Sequence, residues 1–162
     1  MKIDKRRRRE SKTDYATRIG LLKGNKPRLV FRKTNRYIIA QYVISKEAQD
    51  SIQIGLTSKL LLKYGWPKEN SGSLKSIPAS YLTGYLMGRK IAKEKLKEPI
   101  VDLGMIRTTH KTKVFSFLKG VFDSGIKIKC DKKAFPEEDR ISGKNIKSKI
   151  DLKAIKLKID AI

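Results

Sequence analysis

Thirty-nine Lys and Arg side chains stand against 16 Asp and Glu in 162 residues, a formal net charge of +23 at pH 7. Folding concentrates that charge, and a compact domain carrying it repels itself unless a polyanion neutralises it. Nucleic acid is the commonest such partner, because each phosphate contact releases condensed counterions. A membrane surface is the competing partner, but it also needs an amphipathic anchor or a lipid. Hydrophobic residues make up 39% of the chain, enough for a core. The length suits one ordinary domain with some extra tail.

The sequence has no run of about 18 apolar residues of the kind that spans a membrane. Arg6, Arg7, Arg8 and Arg9 are followed by polar residues and not by an apolar h-region, so the basic start does not read as a secretory signal. The one cysteine, Cys130, has no internal disulfide partner, which suits a reducing cytosol. The expectation is a soluble cytoplasmic protein.

Hydrophobic spacing divides the chain into a basic arm (1–13), a mixed α/β domain (14–130) and a basic C-terminal extension (131–162). The arm, MKIDKRRRRESKT, has no periodicity and is expected to be disordered in isolation and to order on an anionic partner. Residues 14–22 carry Tyr15, Ile19 and Leu22 at helical spacing behind Asp14 as an N-cap. Residues 28–32 (RLVFR) and 36–44 (RYIIAQYVI) read as a β-hairpin with a basic tip, and 51–56 as a third strand, giving an antiparallel meander.

A short helix at 58–64 ends at Gly65, and a loop follows to residue 76. Pro78 opens the longest helical pattern, to about residue 97, with Leu82, Tyr85, Leu86, Arg89, Ala92 and Leu96 on one face. Gly84 and Gly88 suit close approach of this helix to a sheet. Residues 99–104 (PIVDLG) read as a crossover strand added beside the meander. A second amphipathic helix spans 113–124, with Val114, Phe117, Leu118, Val121 and Phe122 inward. The acidic cluster at 137–139 suits a helix start. The stretch 142–162 fits neither helical nor strand periodicity. The fold class is therefore a single α/β domain: a mixed sheet with packed helices, a basic arm and a basic tail.

No enzyme constellation is present in the sequence. His110 is the single histidine and Cys130 the single cysteine, so neither a multi-histidine site nor a thiolate cluster is available for a metal. Gly20 to Lys26 lacks the spacing of a phosphate loop, and no strand precedes it. Asp102, at the end of a strand, suits a structural role in capping a loop. No cofactor or small-molecule substrate is implied. An RNA-processing enzyme on a similar fold would need a carboxylate cluster that the sequence does not supply. An RNA chaperone or regulator would share every basic feature.

The basic residues suggest where RNA is met. Arg6 to Arg9 form an arm whose guanidinium forks suit phosphates, and the excess continues through Lys12, Arg18, Lys23, Lys26 and Arg28. Tyr15 suits either base stacking or core packing. The hairpin tip, Arg32, Lys33, Asn35 and Arg36, suits phosphates or base edges. Thr109, His110 and Lys111 precede a helix, where backbone amides accept a phosphate or a Thr caps. Aromatic content of 7% is low for a binder that relies on stacked bases, favouring recognition of a folded RNA by shape and charge.

The strings TDYATRIGLLKGNKPRLVFRKTNRYIIAQ, LLLKYGWP, IPASYLTGYLMGRKIAK, KVFSFLKGVFDSGIKI and PEEDRISGKNI occur in an order that resembles the universal large-subunit ribosomal protein eighteen family, in its archaeal and eukaryotic form. The resemblance covers roughly residues 13–146. It implies an α/β domain with a basic arm on RNA and a place in the central protuberance. The implied partners are 5S rRNA, 23S rRNA and neighbouring ribosomal proteins such as protein five. Carried onto this chain, the RNA-facing residues are the arm, Tyr15, Arg18, Lys26, Arg28 and positions 32–36. The tail beyond residue 146 and the SGSLKSIP loop depart from the family pattern.

Overall fold

The computed structural model describes residues 3–47, 49–144 and 150–161. Helices α1 (Arg6–Arg9) and α2 (Tyr15–Lys23) lead into strands β1 (Arg28–Lys33), β2 (Ile38–Lys46) and β3 (Gln49–Thr57). Two 3-10 segments, Ser58–Tyr64 and Lys68–Ser73, connect to helix α3 (Ile77–Lys93). Strand β4 (Ile100–Asp102), helix α4 (Lys113–Asp123), α5 (Glu138–Ser142) and α6 (Leu152–Asp160) follow.

The sheet has the order β3-β2-β1-β4. The first three strands form the expected antiparallel meander, and β4 pairs with β1 in parallel, with Leu29 opposite Val101. A parallel neighbour needs a crossover, and α3 supplies it. Strand alternation puts Leu29, Phe31, Ile38, Ala40, Tyr42, Ile54 and Leu56 on one buried face. Helices α3 and α4 cover that face, with the Phe31 and Phe117 rings 5.0 Å apart. Arg28, Val30, Arg32 and Asp102 alternate onto the other face, beneath α2.

Gly84 and Gly88 do permit a close approach, but to α4 and not to the sheet. A Cβ at Gly84 would collide with the Phe117 carbonyl, and one at Gly88 with Ser124 Oγ. Gly120 on α4 meets the backbone of Tyr81 and Tyr85 in the same way. With α4 this near and the sheet on another side, α3 is buried continuously from Pro78 to Gly84. Its polar groups there are satisfied locally: Ser80 Oγ donates to the Lys113 carbonyl at 2.6 Å, and Thr83 Oγ1 to that of Ala79 at 2.7 Å. The helix stops at Lys93, short of the expected end, because Lys95 turns to φ +50° and Leu96 N–H donates back to Ile91 at 3.1 Å. Ala92, expected inward, is exposed. Phe122, also expected inward, is 41% exposed on the far side of α4.

Two segments that show no periodicity in the sequence are helical. Residues 6–9 form one turn, closed by hydrogen bonds from the amides of Arg8 and Arg9 to the Lys5 carbonyl. In the tail, Asp151 accepts hydrogen bonds from the amides of Lys153 and Ala154, both at 3.1 Å, and caps α6. Ile155 and Ile159 of α6 are buried in the core, and Asp160 accepts from Tyr85 Oη at 2.7 Å while pairing with Arg89 at 2.8 Å. The repeated Lys residues stay outside, so two well-spaced isoleucines suffice to dock it. Of the stretch 142–162, residues 145–149 and 162 lie outside the described residues.

Candidate nucleic-acid interface

Asp14 sets the geometry of the arm. Its carboxylate accepts from the amides of Ala16 and Thr17 and from Thr17 Oγ1 at 3.0 Å, capping α2, and pairs with Arg8 at 3.5 Å. Hydrogen bonding from Thr17 is the main reason its acid strength rises above the ordinary carboxylate value. Arg7 Nε donates to Thr13 Oγ1 at 2.9 Å, and Glu10 pairs with Arg6 at 3.6 Å and Lys12 at 2.8 Å. The arm therefore folds back on its own carboxylates while its four arginines stay exposed. Tyr15 is half-buried with the Lys5 ammonium 4.7 Å from its ring centroid, and Ile19, its expected packing partner, is 52% exposed.

Beside the arm, Arg7, Lys12, Arg18 and Arg32 border a cleft of about 140 Å³ that Asp14 and Asp102 also line. Arg18 donates through both terminal nitrogens to Asp50 Oδ2 at 3.1 Å. Arg32 donates to the Asp102 carbonyl at 2.9 Å and to its carboxylate at 3.2 Å, with its side chain 41% exposed.

Arg28 is not available to RNA. Its side chain is 3% exposed, donating to Asp102 Oδ2 at 2.8 Å, Asp50 Oδ1 at 2.6 Å and Ser45 Oγ at 3.0 Å. Residue 28 opens β1 on the face that α2 covers, so its charge is met by carboxylates from β3 and β4. Asp102 also accepts from the amide of Gly104 at 2.9 Å, where φ is +60°, and so caps the turn after β4. That is the structural role its position in the sequence suggests.

Lys33, Asn35 and Arg36 are exposed at the hairpin tip, where Lys75 donates to the Asn35 carbonyl at 2.7 Å. Thr109, His110 and Lys111 are exposed in the loop before α4. Thr112 is the residue preceding that helix, but its hydroxyl donates to the Thr109 carbonyl at 2.7 Å and caps no amide, so the Thr-capping reading is not realised. Lys111 pairs with Glu137 at 2.7 Å. Lys33, His110 and Lys111 share a second cleft with Arg107, Lys113 and Arg140, three residues that the sequence did not single out for RNA. Lys23 and Lys26 lie apart, at the opposite end of β1, where Lys26 borders a cleft with Lys127 and Lys129.

Basic residues thus gather at separate stations, and among the described residues no group of three or more His, Cys, Asp or Glu side chains is placed to hold a metal ion. The family model for ribosomal large subunit proteins 60S L5 and 50S L18 matches residues 1–99, from the arm through α3. Large ribosomal subunit protein uL18 of Korarchaeum cryptofilum is 45% identical over 147 residues, covering 91% of this chain and 73% of that protein. This chain belongs to the uL18 family. Large ribosomal subunit protein uL18 of Methanococcus maripaludis is 41% identical over 143 residues, covering 88% of this chain and 72% of that protein. As a uL18-family member the chain is a structural component of the large ribosomal subunit, not an enzyme. No described helix is long and apolar enough to cross a membrane.

Proposed function

We propose that this uL18-family protein holds 5S rRNA and helps attach it to 23S rRNA in the central protuberance, beside neighbouring proteins such as protein five. The observation that carries the reading is the four consecutive guanidinium groups, Arg6 to Arg9, on one exposed turn. Arg18, Arg32 and Lys12 stand around the adjoining cleft. Counterion release at such a surface drives association with phosphate backbones. The exposed Lys33, Asn35 and Arg36 extend the same role to the hairpin tip. Arg28 acts indirectly, by holding the strand and turn that present Arg32.

Competition titration of the purified protein against folded 5S rRNA, with tRNA and duplex RNA as competitors, tests this reading. Preference for 5S rRNA by orders of magnitude supports it, and equal competition by all three removes the specific identity. Replacing Arg6 to Arg9 with Ala lowers the log–log salt slope by about 0.7–0.9 for each lost phosphate contact. An unchanged slope sinks the arm's role.

A further inference from the structure

Arg32 and Lys33 are successive residues of β1 whose side chains leave the strand on opposite sides. Arg32 turns to Asp102 and the arm cleft, whereas Lys33 turns to a cleft of about 370 Å³ on the other side. Around its rim stand Lys33, Arg107, His110, Lys111, Lys113 and Arg140. Its apolar floor is Ile77, Ile106 and Val114, with Phe31 beneath.

This cleft differs from the arm cleft in its charge balance. Asp14 and Asp102 line the arm cleft, whereas no carboxylate lines this one. Lys111 is paired with Glu137 from outside it, but Lys33, Arg107 and Lys113 make no ion pair among the described residues. Burial, and then the nearby charges of Lys75 and Lys33, pull the Lys113 ammonium below its ordinary value of 10.5. Crowded cations around an apolar floor are unfavourable alone and favourable around an anion that carries a flat apolar group. A nucleotide is such a group, and the exposed His110 and Arg107 add planar surfaces for an unstacked base.

We propose that this cleft is a second RNA site, separate from the arm, which takes one unpaired nucleotide. The phosphate lies among Lys33, Arg107 and Lys113, and the base lies on the Ile77, Ile106 and Val114 floor. An unpaired base can lie on this floor, whereas a duplex keeps its bases stacked inside and offers the cleft only its backbone. The proposal rests on the reading above that RNA is the partner.

Lysine acylation footprinting of the full chain tests it with three probes: 5S rRNA, single-stranded RNA of about four nucleotides, and duplex RNA. Protection of Lys33 and Lys113 by 5S rRNA and by the short single strand, but not by the duplex, is the expected result. Unprotected Lys33 and Lys113 alongside a protected Lys12 overturn the cleft while leaving the 5S rRNA reading intact. Protection of Lys33 and Lys113 by the short strand, with no lysine protected by 5S rRNA, Lys12 included, supports the cleft and overturns the 5S rRNA reading. Equal protection by duplex overturns the unpaired nucleotide. As an independent check, R107Q/K113Q, shown folded by an unchanged melting temperature, binds the short strand at least about tenfold more weakly. Unchanged affinity in that variant also overturns the proposal.

Discussion

Arg28 and Asp102, 74 residues apart in sequence, meet at 2.8 Å with side chains only 3% and 8% exposed. The pair ties the start of the meander to the crossover strand, and through Asp50 and Ser45 it reaches the end of the hairpin. Truncating one partner of such a buried pair leaves an uncompensated charge. D102A is therefore expected to lose about 3–5 kcal/mol, read from urea unfolding midpoints. Replacing both residues with apolar ones of similar volume is expected to cost far less. A D102A protein as stable as the parent contradicts the network's structural role.

Close backbone contact between α3 and α4 makes a second prediction. G84A forces a methyl against the Phe117 carbonyl, and overpacking of this kind costs about 1–3 kcal/mol or more. Gly20, on the exposed side of α2, has nothing within 4 Å of an added Cβ. There the same substitution stabilises by up to about 1 kcal/mol, through helix propensity. Thermal unfolding of the two variants should move in opposite directions.

The tail is part of the folded unit. Ile159 is 0% exposed, and I159A is expected to cost about 2–5 kcal/mol in denaturant titration. L157A, at a position 71% exposed on the same helix, should stay within about 0.5 kcal/mol of the parent. Equal effects from the two would mean that α6 is not docked.

Asp50 supplies a pH dependence. Burial alone would raise its pKa, but hydrogen bonds from Ser45, Arg28 and Arg18, with the Arg28 charge, lower it below 3.8 on balance. A carboxylate with a depressed folded pKa contributes stability that is present above its unfolded value and lost as pH falls through the folded one. Urea unfolding between about pH 5 and pH 2 should show this loss. D50N should begin less stable and fall less steeply. Parallel acid profiles for D50N and the parent would remove Asp50 from the account.

Much of the architecture was legible because it is written in local periodicity. The meander, the crossover strand, the long helix behind Pro78 and the Asp14 cap follow from alternation, spacing and capping chemistry, and each is present. Periodicity did not reveal the partner of the glycine face, because a glycine permits close approach without stating to what. Nor did it reveal α6, where lysines interrupt the apolar spacing and two buried isoleucines carry the docking. The clefts were legible only as separate basic residues, since Arg107, Lys113 and Arg140 join Lys33 only through the fold.

Composition by itself pointed to a polyanionic partner, through a net charge of +23, and the ordered strings at residues 13–146 pointed to its kinship. The tertiary structure decided which cations remain free to meet that polyanion. Arg28 and Arg32 are both arginines of one basic strand, and nothing local separates them. Carboxylates brought from β3 and β4 do: they enclose Arg28 and leave Arg32 partly exposed. A charge's availability depends on its long-range partners and on burial, and these exist only once the chain has folded.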